Sequence, residues 1–271
     1  MGRSLPLSPP RRLICDLMHF ARKIPTVPVQ RRMQLGEVVA ARLAATPRPS
    51  WCSLFTKAYG IVAAARPELR RSYLSFPRPH LYEHPLNVAT IAIERQFEDE
   101  EAVLFAPIRQ PEEMALPDLD ARLRRLKELP LEEVGAFRRA LGISRLPGPL
   151  RRLLWWVGLN VSGRQRARIM GTFGVSVYSG LGAAGLHPLS VATTTLNYGV
   201  IEPDGTVDVR LIYDHRVLDG ATIARALADL EGVLTHEILG ELRYLGQVET
   251  EHDDLSPLPV GGRGYVFREE T

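Results

Sequence analysis

The segment DHRVLDG (residues 214–220) sets His215 four positions before Asp219, and of all the residues in this chain that pair is best suited to moving a proton. A strand-like run over residues 207–213 leads into it. Residues 221–234 follow, where Ile223, Leu227, Leu230 and Leu234 recur at helical spacing. A strand end fixes the histidine backbone, a turn brings Asp219 back towards the ring, and Gly220 permits a tight path. With an ordinary pKa of about 6.5, an imidazole is mostly neutral near pH 7 and ready to take a proton from a thiol or hydroxyl that attacks a carbonyl. The plainer reading is that Asp-Gly forms a turn and N-cap, with Asp219 only starting the helix. Spacing alone leaves both readings open.

Four further stretches stand in order before this motif: LSPPRR at 7–12, a helical run with Pro-Glu-Leu at 55–69, VLFAPI at 103–108 and GTFGVS at 171–176. Together with DHRVLDG they resemble the dihydrolipoamide acyltransferases, the catalytic cores of 2-oxo acid dehydrogenase complexes, which share a fold with chloramphenicol acetyltransferase. Asp214 before the histidine and Arg216 after it match that branch. The chloramphenicol enzymes and the peptide-synthetase condensation domains usually carry a second histidine in place of Asp214. The resemblance implies that His215 is the general base, that Ser176 donates a hydrogen bond to the oxyanion, and that Arg11 pairs with Asp219. Acyl transfer would then be direct, without an acyl-enzyme. Apart from the resemblance, Ser176 reads as a strand serine bonded to a neighbouring loop, and Arg11 as a solvated charge at a helix end.

The expected fold is α/β, a two-layer sandwich of the chloramphenicol acetyltransferase type with a mixed sheet flanked by helices. Residues 1–240 form the catalytic domain and 241–271, with Pro257, Pro259 and GGRG, a tail or arm. By resemblance the chain forms a homotrimer or an assembly of trimers with the site between subunits, and takes coenzyme A or acyl-CoA as substrate. No segment resembles a lipoyl domain, so no covalent lipoyl group is expected in this chain, and acyl delivery would fall to a separate lipoyl or acyl-carrier protein. The competing expectation is a non-catalytic trimeric scaffold of the same fold, associated with a multienzyme complex.

Residues 148–170 have no counterpart in the resemblance. Their LRRLLWWVGLN run places Leu150, Leu153, Leu154 and Val157 on one helical face, with Trp155 and Trp156 at its border and arginines at both ends. Such a helix packs on its own core or a subunit interface, covers an acyl-chain tunnel, or touches a membrane surface.

Composition narrows the remaining classes. The 271 residues are 45% hydrophobic, enough for a sizeable core, and no run reaches the roughly 20 apolar residues of a membrane span. Thirty-four basic against 31 acidic residues leave a net charge of only +3, with no nucleic-acid-binding motif, so a nucleic-acid partner is not expected. Cys15 and Cys52 have no metal-ligand spacing. No metal is expected, and a reducing cytoplasm suits the two free thiols.

Overall fold

The computed structural model describes residues 2–253, and the side chains of residues 2–247. Helix α1 (Pro9–Ala21) starts where the Ser8 hydroxyl accepts the Arg11 amide and prolines occupy the first turn. Strand β1 (Thr26–Gln34) follows, in a stretch the sequence left unassigned. Only Met33 is buried there, because β1 is an edge strand, and the edge also tolerates Pro28. Helices α2 (Gly36–Ala44) and α3 (Trp51–Ala65) precede the short hairpin β2 (Arg71–Leu74) and β3 (His80–Glu83). Strands β4 (Val88–Phe97) and β5 (Glu100–Arg109) lead into helices α4 (Leu116–Glu128), α5 (Gly135–Ser144), α6 (Gly148–Asn160) and α7 (Gly163–Met170). Strands β6 (Phe173–Val175), β7 (Thr194–Tyr198) and β8 (Thr206–Asp214) then precede α8 (Gly220–Val233), which runs through a wide turn into α9 (Leu239–Asp253).

The main sheet has the order β1-β8-β7-β6-β4-β5, with β6 parallel to both β4 and β7 and the other pairs antiparallel. It is the mixed sheet expected. Two glycines are required by backbone conformation. Gly205 (φ +84°) closes the Pro-Asp-Gly turn between β7 and β8, and Gly171 (φ +69°) enters β6 where a Cβ would meet Val88 O at 2.4 Å. On one face of the sheet α3 packs by its aromatic side chains. Phe55 stacks on Tyr198 at 4.1 Å, and Tyr59 meets Phe173 edge-on and donates to Thr194 Oγ1 at 2.8 Å. Each such buried ring stabilises the fold by about 1.5–3 kcal/mol. Helix α8 buries Ile223, Leu227 and Leu230 in the same core, and Leu234 follows in the wide turn.

The structure bears on two of the sequence readings. The face of α6 carrying Leu150, Leu153 and Leu154 points outward, these residues being 44%, 55% and 41% exposed, while Trp155, Gly158 and Leu159 turn inward. The helix is apolar on both sides, so periodicity could not say which side is buried. The chain also stays helical past residue 240. Leu242 is fully buried and Glu241 pairs with Lys57 at 2.5 Å, so the packed body continues past residue 240. Residues 254–271 of the expected tail lie outside the described residues.

The β2–β3 hairpin is tied to the sheet by a buried polar chain. His84 Nε2 lies 3.0 Å from Ser72 Oγ, and Ser72 Oγ lies 3.3 Å from Thr193 Oγ1. Burial above all, then Arg166 and Arg70, pulls the His84 imidazole from its usual 6.5 down to about 4. The unfolded chain therefore takes up a proton near pH 6.5 that the folded chain refuses until about pH 4. Stability is full above the unfolded value and falls as pH drops through that window, by about 2 kcal/mol between pH 7 and 5. Melting curves of His84→Gln should show a flatter dependence on pH between 7 and 5 than the parent. An unchanged slope would assign the acid sensitivity to other groups.

Candidate active site

Strand β8 delivers His215 from its buried end, after Leu211 and Tyr213. The histidine amide donates to Pro25 O at 3.0 Å, and the turn is closed by the amides of Val217 and Leu218 on Asp214 O. Asp214 is 1% exposed. Its carboxylate accepts from the Arg216 amide (3.0 Å) and from the guanidinium Nε (2.9 Å) and Nη2 (2.7 Å), and that guanidinium lies over the Tyr73 ring at 4.3 Å. The Asp-His-Arg triplet thus works as a clamp: Asp214 and Arg216 lock the turn, and the imidazole between them stays half exposed.

Asp219 returns towards the ring as the sequence predicts, with Oδ1 3.8 Å from His215 Nδ1. It occupies the N-cap position of α8, yet its side chain caps nothing. Its carboxylate is therefore available to another group. Gly220 has no positive φ, and a Cβ there would meet only Tyr213 Oη at 3.5 Å, so the tight path does not depend on glycine. Burial, with Asp219 nearby, pushes the Tyr213 phenol up.

Ser176 leaves the end of β6, its amide donating to Leu196 O at 3.1 Å and its carbonyl accepting from Asn197 Nδ2 at 2.5 Å. It lines a cavity of 460 Å³ together with Arg11, Thr90 and Thr195. The Thr90 and Thr195 hydroxyls are buried without a partner there. Thr195 lines the cavity and Asn197 holds the Ser176 carbonyl, while the neighbouring Thr194 turns to Tyr59, the alternation that TTTLNY carries as a strand. Sequence reasoning passed over both.

The four predicted residues fall into two groups. Ser176 follows Val175, which pairs with Leu196, so it lies level with Asn197. His215 lies beyond the Tyr213–Thr194 pair, level with Ala192. Five residues of strand separate the two rows, about 16 Å at roughly 3.3 Å per residue. Arg11 shares the Ser176 cavity, whereas the far end of α1 leads towards Pro25 beside His215, about 15 Å away at 1.5 Å per residue. The expected Arg11–Asp219 ion pair is therefore absent among the described residues, where the Asp219 side chain is 85% exposed and its carboxylate approaches His215 at 3.8 Å. Among the described residues no cluster of His, Cys, Asp and Glu could hold a metal, and no helix is long and apolar enough to cross a membrane.

Comparison with protein-family models and with curated proteins gives no match. Solved structures do match. The dihydrolipoamide acetyltransferase of Azotobacter vinelandii superposes with TM-score 0.67 at 19% identity, over 89% of this chain and 94% of that one. A probable dihydrolipoamide acetyltransferase from Listeria monocytogenes gives 0.61 at 18%, over 86% and 94%. A truncated catalytic core of the 2-oxoacid dehydrogenase complex from Thermoplasma acidophilum gives 0.61 at 17%, over 87% and 99%. The chain has the fold of the dihydrolipoamide acetyltransferase catalytic cores, the one its motifs resemble.

Proposed function

We propose that this protein is an acyltransferase that moves an acyl group directly between a thioester, of the acyl-CoA or acyl-lipoyl type, and a thiol or hydroxyl acceptor. His215 takes the acceptor proton as sulfur or oxygen attacks the carbonyl carbon. The hydroxyl of Ser176 donates to the oxyanion of the tetrahedral intermediate, and the departing thiolate recovers the proton from the imidazolium. The observation that carries this reading is the division of the site. A base half holds His215 and Asp219, an oxyanion half holds Ser176 and Arg11, and neither can serve one carbonyl across about 16 Å of sheet. Two copies of the chain complete a site when the serine half of one faces the histidine half of the next, as in a homotrimer or an assembly of trimers. Arg11 of one copy then meets the free carboxylate of Asp219 on the next.

The fold shared with the acetyltransferase cores supports this reading, and the Azotobacter vinelandii enzyme has been investigated for the roles of a serine, a histidine and an asparagine four positions beyond it. Aspartate takes that last position here.

The test follows from the division. Ser176→Ala is expected to lose roughly 10²-fold in rate, with little change in KM. Mixed with His215→Ala after dissociation and reassembly, it should regain activity, since about a quarter of randomly mixed interfaces carry both intact halves. Two inactive variants that stay inactive on mixing would place each site within one chain. Full activity of both single variants would reject Ser176 and His215 as the working residues, and absence of acyl transfer by the parent protein would leave the scaffold reading.

A further inference from the structure

One cavity system in the fold lies outside the four predicted residues. Arg109 at the end of β5, Arg122 on α4, Arg139 on α5 and Arg164 and Arg168 on α7 line a single cleft of 430 Å³. All five are exposed, and among the described residues none of their side chains forms a hydrogen bond or ion pair and no acidic side chain lines the cleft. The chain holds five like charges around one concavity with no counter-charge, an arrangement that destabilises the fold unless a ligand supplies negative charge.

The cleft has a second compartment. Arg139, Arg164, Arg168 and Pro107 also border an adjoining slot of 430 Å³, whose other walls include Leu13, Phe105, Ala140, Ile143, Trp155 and Met170. Phe105 and Met170 in turn line the cavity that holds Ser176. A basic mouth, an apolar slot and the serine half of the site are thus contiguous. Both α6 and α7, the segment without a counterpart in the resemblance, build the slot through Trp155, Arg164 and Arg168.

We propose that this cleft binds an amphiphilic anion, its phosphorylated head held by the five arginines and its apolar arm lying in the slot. The planar guanidinium suits phosphate through paired N–H donors, and several arginines around one concavity suit a head with more than one phosphate charge. The apolar slot distinguishes this ligand from a nucleic acid, which needs exposed aromatic platforms for its bases, and the cleft presents none. The site rests on the acyl-transfer reading only in that the arm points to Ser176, which makes the ligand an acyl donor. Binding itself does not depend on turnover.

Titrations of the intact protein test it with three probes: inorganic tripolyphosphate as the head alone, palmitoyl-CoA below its micellar concentration, and vesicles containing phosphatidic acid. Palmitoyl-CoA or the vesicles should bind saturably and more tightly than tripolyphosphate, with affinity falling as salt rises. Arg139→Glu with Arg168→Glu should weaken every phosphorylated probe by roughly 10- to 100-fold. Ala140→Phe, which fills the slot, should weaken the probe with an apolar arm and leave tripolyphosphate unchanged. Preference for palmitoyl-CoA identifies a soluble thioester as the source, and preference for vesicles a lipid headgroup; either supports the site. Absence of binding by any of the three, indifference to the arginine reversals, or tighter binding of a single-stranded oligonucleotide would overturn it. Acyl transfer by the parent protein with short-chain donors, measured alongside, keeps failure of this site distinct from failure of the transfer reading.

Discussion

His215→Ala is expected to lower acyl transfer by roughly 10²- to 10⁴-fold, the usual loss when a general base is removed, while melting temperature and oligomer size stay at parent values. The reason lies in how the loop is held. His215 is fixed through its amide on Pro25 O, a bond that alanine keeps, and through the Asp214–Arg216 clamp on either side. The ring itself is 48% exposed, forms no hydrogen bond among the described residues, and touches Tyr213 at a centroid distance of 5.4 Å and Asp219 at 3.8 Å. Removing it takes away chemistry and almost no packing. His215→Asn should fall as far as alanine, because an amide keeps polarity and cannot carry the proton. Single-turnover assays beside thermal melts separate the outcomes, and parent-like turnover in a folded His215→Ala protein would end the base mechanism.

How much of this was legible in the sequence depends on what kind of signal each part carries. The helix at 116–128 and the strands read at 86–94 and 102–109 announce themselves through their apolar pattern, most regularly in β5, and α8 through Ile223, Leu227 and Leu230. Strand β1 does not, because an edge strand with one buried residue has no alternation to read. The α6 helix misleads by being apolar on two sides, so that Leu153 and Trp155 compete for the core and the tryptophan wins. For the candidate site, the motifs single out His215, Asp219, Ser176 and Arg11, but spacing along a chain cannot say which end of a sheet each one reaches. That needed the register of β6, β7 and β8. The five-arginine cleft was illegible for the same reason. Arg109, Arg122, Arg139, Arg164 and Arg168 come from four elements, and in a chain with 34 basic residues they read as scattered solvated charges.

The other large effect is expected at Asp214, which never touches the reacting atoms. Its carboxylate is the counter-charge for two arginines: Arg216 by direct hydrogen bonds, and Arg166 at longer range. Arg166 is 4% exposed and donates to Leu159 O and Val191 O, tying α6 to the segment before β7. Burial pulls its pKa down to about 10, Asp214 opposes that fall, and Arg216 adds to it. Asp214→Ala therefore strips the opposing charge that the described residues supply from one buried and one half-buried cation, at a cost of about 3–5 kcal/mol, and lowers the melting temperature by roughly 10 °C. It also releases the turn that presents His215, so activity should fall further than the loss of folded protein explains. Arg216→Ala should cost less, since Asp214 still faces Arg166. The double variant should fall short of the sum of the two single losses by about 1 kcal/mol or more, because both singles break one contact. Strict additivity in melting and rate measurements would show that the triplet does not act as a clamp. His215 would then owe its position to Pro25 and the end of β8 alone.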